Sequence, residues 1–111
     1  MKLVDEQNDF LMDVASLILK ADEMGYKVTA GELFRTPEQQ KIYVETGRSK
    51  TFNSMHLKRL AIDLNIFKDE KLCTVKEIEP LGEFWESLNE KNRWGGRFKT
   101  LKDGPHFERK V

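Results

Sequence analysis

The chain has only two histidines, His56 in "SMHLKRLAID" and His106 in "KDGPHFE". Each has an aspartate nearby. His56 precedes Asp63 by seven residues, and Asp103 precedes His106 by three, with Gly104 and Pro105 between. Imidazole nitrogens and carboxylate oxygens are donors that zinc accepts, and three protein ligands leave a fourth position for water or substrate. Two histidines and one of these carboxylates would make such a set. A further carboxylate, close by and off the metal, would be the base for that water. Singly, each residue has a plainer role: Asp63 as a solvated strand residue, either histidine as a structural one. The chemistry depends on the fold bringing the two stretches together.

The spacing limits how that can happen. "LAIDLNIF" alternates strictly, so Leu60, Ile62, Leu64 and Ile66 face one side of a strand and Ala61, Asp63, Asn65 and Phe67 the other. Seven is an odd number, and within one straight strand it would put His56 and Asp63 on opposite faces. His56, in the polar loop-like stretch "TFNSMH", must therefore reach Asp63 from a turn or bend ahead of the strand. The Gly-Pro turn brings the Asp103 carboxylate near the His106 imidazole. "PHFER" reads as a short closing strand, on which Glu108 shares a face with His106 and either orients a ligand or pairs with a basic group.

Other elements must carry these residues. Phe10, Leu11, Val14, Leu17, Ile18, Ala21 and Met24 recur at helical spacing and predict an amphipathic helix from about Asp5 to Glu23, stopped by Gly25. "YKVTAGELF" reads as a strand. "TPEQQKIYVETG" reads as a helix capped by Thr36, with Pro37 in its first turn and Gly47 at its end. "DEK" at 69–71 is a turn, and "PLGEFWESL" is a helix starting at Pro80, with Phe84 and Trp85 as core residues. "RWGGRF" is a glycine-broken loop, in which Trp94 is core or helps shape a cleft. Helices and strands mix without a βαβ rhythm, so the class is α+β.

With 111 residues, 34% charged and 39% hydrophobic, the chain is one ordinary globular domain, 1–111. The net charge of +0 excludes a general pull on nucleic acid, but it is unevenly spread. Residues 1–90 carry 12 Lys/Arg against 17 Asp/Glu, and residues 91–111 carry 7 against 2. "KNRWGGRFKTLK" is either a solvated basic loop or a patch facing an anionic substrate. Cys73 is the only cysteine, so no intrachain disulfide forms, and it reads as a small apolar filler. No apolar stretch is long enough to span a bilayer, and the N-terminus lacks the apolar run of a secretory signal. The expectation is a soluble monomer made in the cytoplasm, which something else must release if its substrate lies outside.

The pattern S-x-H-x-x-x-x-A-x-D, here Ser54, His56, Ala61 and Asp63, followed by D-G-x-H-F at 103–107, resembles the M15 family of zinc peptidases. These include D-Ala-D-Ala carboxypeptidases and small phage L-alanyl-D-glutamate endopeptidases that cut peptidoglycan stem peptides. "GELFRTPEQQKIYVETGRSK", "AIDLNIF", "PLGEFWESL" and "RWGGRF" look like further blocks of the phage-type branch, so the resemblance covers nearly the whole chain. It implies His56, Asp63 and His106 as Zn2+ ligands and Asp103 as the catalytic acid/base. It further implies Arg35 as a substrate-binding group whose fork suits a stem-peptide carboxylate, with Gln40 and Ser54 lining the site. The implied fold is the hedgehog/D-Ala-D-Ala-peptidase type, a small antiparallel sheet with packed helices. The implied function is a zinc peptidase that cleaves peptidoglycan stem peptides as an L-alanyl-D-glutamate endopeptidase; with neither a secretory signal nor a separate wall-binding segment in view, the expectation is a phage or prophage lysin released through a holin. The alternatives are a D-Ala-D-Ala carboxypeptidase or a non-catalytic zinc-stabilised module. One position departs from the pattern: related sequences often have glycine three residues after the first histidine, where this chain has Arg59. If that turn needs positive φ, an arginine is strained there.

Overall fold

The computed structural model describes residues 2–49, 51 and 53–111. Lys50 and Phe52, which belong to two of the segments quoted above, lie outside that set, as does Met1. Helix α1 (Leu3–Glu23) is followed by strand β1 (Lys27–Ala30) and helix α2 (Pro37–Glu45). A 3-10 turn (Met55–Lys58) leads into β2 (Ala61–Lys68), which returns through β3 (Lys71–Leu72). Helix α3 (Val75–Leu88), β4 (Asn92–Trp94), a second 3-10 turn (Gly95–Arg97) and β5 (His106–Arg109) complete the chain. The strands form one antiparallel sheet in the order β1-β2-β5-β4, with β3 also paired to β2. The fold is α+β, as the mixed pattern implies.

The alternation in β2 decides which side of the sheet is which. Leu60, Ile62, Leu64 and Ile66 are buried and pack with Phe107 of β5 and Trp94 of β4 against α1 and α3. Burying each such side chain contributes roughly 1.5–3 kcal/mol, so this row fixes the strand register. Trp85 of α3 sits between Phe10 and Phe107 in edge contacts at 5.6 and 6.0 Å. Its indole N–H donates to the carbonyls of both Glu108 and Arg93, which ties the helix to β4 and β5. The opposite face of the sheet carries Ala61, Asp63, His106, Glu108 and Arg93.

Several boundaries differ from the sequence expectation. The strand "YKVTAGELF" shortens to Lys27–Ala30; beyond it, Gly31 and Glu32 still exchange backbone hydrogen bonds with Asp63 at 2.8 Å. α3 begins five residues before Pro80, because Thr74 and Glu77 form a reciprocal capping box (2.9 and 3.3 Å). Pro80 is an exposed residue inside the helix, where it removes one i→i−4 hydrogen bond. In α1, Phe10, Val14, Leu17 and Ala21 are buried, whereas Leu11, Ile18 and Met24 of the same expected stripe are exposed. Trp85 is core, but Phe84 is only half-buried. "RWGGRF" resolves into the end of β4 and a 3-10 turn, and Trp94 is core.

The basic segment is mostly neither a solvated loop nor a free patch. Lys91 pairs with Glu6 (2.9 Å), Arg93 with Glu108 (3.0 Å from Nε) and Arg97 with Glu86 (2.7 Å). The charge asymmetry along the chain is largely complementarity within the fold. Among the described residues, no helix is long and apolar enough to cross a membrane.

Candidate metal centre and its cleft

Strand pairing brings two donors together. In the β2–β5 register Asp63 stands directly opposite His106, and on one face such neighbours are in contact range. His56 comes from the 3-10 turn just before β2, which supplies the bend that the odd spacing requires. The result is a cluster of His56, Asp63 and His106 whose donor atoms all lie within 4.8 Å of one another. His56 Nε2 and His106 Nδ1 are each 3.4 Å from the same oxygen, Asp63 Oδ1.

Both imidazoles have their outer nitrogen occupied. His56 Nδ1 lies 2.9 Å from the Leu33 carbonyl, which can only accept, so the proton sits on Nδ1 and the Nε2 lone pair turns inward. His106 Nε2 lies 2.7 Å from Glu108 Oε1, which leaves Nδ1 facing Asp63. An acceptor behind each ring is the arrangement that fixes tautomer and orientation in histidine metal ligands. Glu108 is itself held by Arg93, its direct neighbour across the β4–β5 pair.

Zinc bonds of about 2.0–2.1 Å in a tetrahedron put neighbouring donors about 3.3–3.4 Å apart. The two 3.4 Å separations match that edge. His56 Nε2 and Asp63 Oδ1 are also buried and without a hydrogen-bond partner, an arrangement that is costly unless something binds them. The residues present therefore fit a zinc ion. In the metal-free chain, burial alone would raise the Asp63 pKa, but the two imidazoles hold it well below the usual carboxylate range. Burial alone would lower that of His106, but the carboxylates of Asp63 and Glu108 push it up to about 9.

Asp103 is placed by backbone. Its N–H donates to the Gly95 carbonyl (2.9 Å), and its carbonyl accepts from His106 N–H (3.1 Å), closing the Gly-Pro turn. Gly95 is needed for this approach, since a Cβ there would stand 2.2 Å from the Asp103 carbonyl oxygen. The Trp94 indole N–H donates to the Gly104 carbonyl (2.8 Å) and supports the turn from the core side. The Asp103 side chain lines the same cleft as His56 and His106. Burial raises its pKa, and the nearby Asp63 charge adds to that.

The cleft has a volume of about 580 Å³. Arg35 and Ser54 also line it. The Ser54 hydroxyl caps the 3-10 turn by accepting from His56 N–H (3.2 Å) and takes a 3.3 Å bond from Arg35. Arg35 further donates to Gln40 Oε1 (2.7 Å) and pairs through Nε and a terminal nitrogen with Glu32. Gln40 is 1% exposed and stands behind Arg35, outside the cleft lining. Its amide N–H2 donates to Ser49 (2.9 Å) and to the Thr51 carbonyl, so it holds the loop that walls the cleft.

Sequence reasoning missed Glu32, the anchor of Arg35, and left Glu108 without an assignment. Glu108 was legible from its two-residue offset on a strand. Glu32 offered only an ordinary three-residue spacing to Arg35. Arg59 has φ 56° and ψ 38°, so the turn after His56 does take the left-handed conformation. Its guanidinium lies 4.3 Å from the Phe34 ring centroid, next to Leu33 whose carbonyl orients His56.

Two histidines and an aspartate, with a second carboxylate on the cleft that the histidines line, are the donor types that hydrolytic zinc sites use. A family model described as D-alanyl-D-alanine carboxypeptidase, of the M15 peptidases, matches residues 47–109. The chain belongs to the M15 peptidase family. It is also similar to a solved structure, the Serratia marcescens L-Ala D-Glu endopeptidase ChiX, with 26% identity and a TM-score of 0.68, covering 87% of this chain and 77% of that one. A search of curated proteins gave no match.

Proposed function

We propose that this chain is a zinc-dependent peptidase that cleaves peptidoglycan stem peptides between L-alanine and D-glutamate. The observation that carries the reading is the pair of buried, unpartnered donor atoms, His56 Nε2 and Asp63 Oδ1, at tetrahedral-edge distance beside the cleft that His56, His106 and Asp103 line. The L-Ala D-Glu endopeptidase likeness supports the choice of bond. In this reading His56, Asp63 and His106 hold the zinc. Bound there, zinc supplies Lewis-acid polarisation of a carbonyl and lowers the pKa of water towards about 7.

The chain's own residues do the rest. Asp103 accepts the proton of the attacking water and passes it to the leaving amine. Its place in the cleft wall, one turn from His106 and tied to it through the backbone, suits both steps, because a carboxylate there can accept a proton and return it. Glu108 and the Leu33 carbonyl keep the two rings turned inward. Ser54 and Arg35 wall the substrate cleft, with Gln40 bracing them.

A second reading, removal of the terminal D-alanine, is favoured by the description of the matching family model. Digestion of purified muropeptides, read by mass spectrometry, separates the two. Cleavage between L-alanine and D-glutamate is expected. Loss of a single alanine would favour the carboxypeptidase, and intact muropeptides at full zinc loading would sink both. The proposal extends to a phage-type lysin that reaches the wall through a holin. Co-expression with a holin should then lyse the host, and expression alone should not.

A further inference from the structure

Two arginines lie against one aromatic ring at the cleft, in opposite circumstances. The Arg35 guanidinium is 4.6 Å from the Tyr43 ring centroid and that of Arg48 is 4.7 Å from it. The Arg35 side chain is only 10% exposed, and its fork is already taken by Glu32, Gln40 and Ser54. A carboxylate arriving at Arg35 would compete with Glu32, Gln40 and Ser54 for N–H groups that are already bonded, which weakens binding there.

Arg48 is exposed and lines the same cleft as His56 and His106. Among the described residues it has no carboxylate partner within salt-bridge distance. It is nevertheless held in place. Gly47, at φ +77°, ends α2 with a closure in which the Arg48 N–H donates to the Tyr43 carbonyl at 2.8 Å. The side chain then folds back onto the ring of that same residue. A guanidinium resting on an aromatic ring keeps the N–H groups of its edge for a carboxylate, and little freedom remains to be lost on binding. The other arginine of the cleft, Arg93, is neutralised by Glu108.

We infer that Arg48 is the specificity-determining cation of this peptidase: it receives a free carboxylate of the peptide substrate. Arg35 is a positioning residue that holds Glu32, Gln40 and Ser54. The inference rests on the peptidase reading above. That reading supplies the chemistry, since a glutamate within a peptide keeps one of its two carboxylates free, close to the scissile bond.

The test uses three synthetic stem peptides with the zinc-loaded enzyme. One is the free acid, one has the glutamate carboxylate as carboxamide, and one has its C-terminus amidated. The wild type should prefer the free acid to the glutamate carboxamide. In Arg48→Gln the KM for the acid should rise roughly 10- to 100-fold, the scale of a hydrogen bond to a charged group. Its kcat should hold and the carboxamide should be cut as by wild type, which also shows that the variant is folded. Arg48→Lys should recover part of the preference. Arg35→Lys should slow all three peptides alike. If Arg48→Gln instead erases a preference against the amidated C-terminus, Arg48 still reads a carboxylate, but the terminal one. Should Arg48→Gln keep every preference, or Arg35→Lys abolish it, the inference is overturned while the peptidase reading stands. Should the wild type cut none of the three, that reading fails and takes the inference with it.

Discussion

Two of the three candidate ligands come from paired strands and the third from a loop, and the two halves are secured by different physics. Asp63 and His106 face each other because β2 and β5 pair in one register. A slip of one residue would turn Leu60, Ile62, Leu64 and Ile66 out of the core, so their placement is as secure as the core itself. His56 is held by separate local devices: the Ser54 cap, the Leu33 carbonyl, the Arg35 N–H on its own carbonyl (3.2 Å) and the left-handed Arg59 that closes the turn. Each of the three hydrogen bonds contributes on the order of 1 kcal/mol. The loop half can therefore loosen while the sheet stays folded, and the site is most easily tuned from that side.

The largest effects should come from removing ligands. His56→Ala and His106→Ala should both lose bound zinc, measured by elemental analysis, and fall to background cleavage. The comparison is sharpened by the metal-free chain. His106→Ala leaves Asp63 and Glu108 without the imidazole between them and should melt well below metal-free wild type. His56→Ala loses a buried ring and its bond to the Leu33 carbonyl and should also melt below it, but by less. Zinc at a thousandfold excess over its Kd stabilises the native wild type by about 4 kcal/mol, so a chelator should lower its Tm and leave both variants unmoved. Full zinc content in either variant would break the three-ligand site.

Next in size is Asp103→Asn, which keeps the shape of the turn and cannot take a proton. Loss of a general base typically costs 10²–10⁴ in rate. Zinc content and Tm should match the wild type, which separates a group that acts beside the metal from one that binds it. An asparagine variant that loses its zinc would make Asp103 a ligand.

The same contrast explains what the sequence could and could not reveal. The alternation of "LAIDLNIF" announced β2, its buried row and the outward Asp63, because a period of two is local. The offset of Glu108 from His106 was legible for the same reason. The partnership of the two histidines was not local: residues fifty apart meet only through the β2–β5 register, and the family resemblance, not periodicity, joined them. The start of α3 went astray because Pro80 is the louder signal, whereas the Thr74–Glu77 capping box sets the boundary. Exposed Leu11 and Ile18 show that helical spacing predicts a face but not its width. Glu32 was out of reach, since only the packed loop reveals which acid meets Arg35. The Glu6 clasp was out of reach too: a buried acid on α1 meets Arg109 (2.6 Å) and Lys91 (2.9 Å) from the far end of the chain.

That clasp gives a smaller, pH-dependent effect on the strand half. Bonds from Arg109 and Lys91 hold the Glu6 pKa down at about 2, from an ordinary 4.5. A carboxylate with a depressed folded pKa stabilises fully above its unfolded value and loses that contribution as pH falls through the folded one. Glu6→Gln should therefore lower Tm at pH 7, and its gap to wild type should shrink as pH drops from about 4.5 to about 2. A gap that stays constant over that range would mean the pairing with Arg109 and Lys91 contributes nothing.

The smallest effect, and the finest probe of the loop half, concerns Arg59. A non-glycine residue in the left-handed region costs on the order of 1 kcal/mol or more. Here the arginine recovers part of that cost by lying on the exposed Phe34 ring, a contact of about 0.5–1 kcal/mol. Arg59→Gly relieves the backbone and loses the stack, so chemical denaturation should find it within about 1 kcal/mol of wild type. Arg59→Ala keeps the strain and loses the stack, and should be less stable than wild type by about 0.5–1 kcal/mol. Phe34→Ala should cost a similar amount in wild type and close to nothing in the Arg59→Gly background, so the double-mutant cycle isolates the stack. Equal costs of Phe34→Ala in both backgrounds would show that the stack is idle, and His56 would then owe its position to Ser54, Leu33 and Arg35 alone.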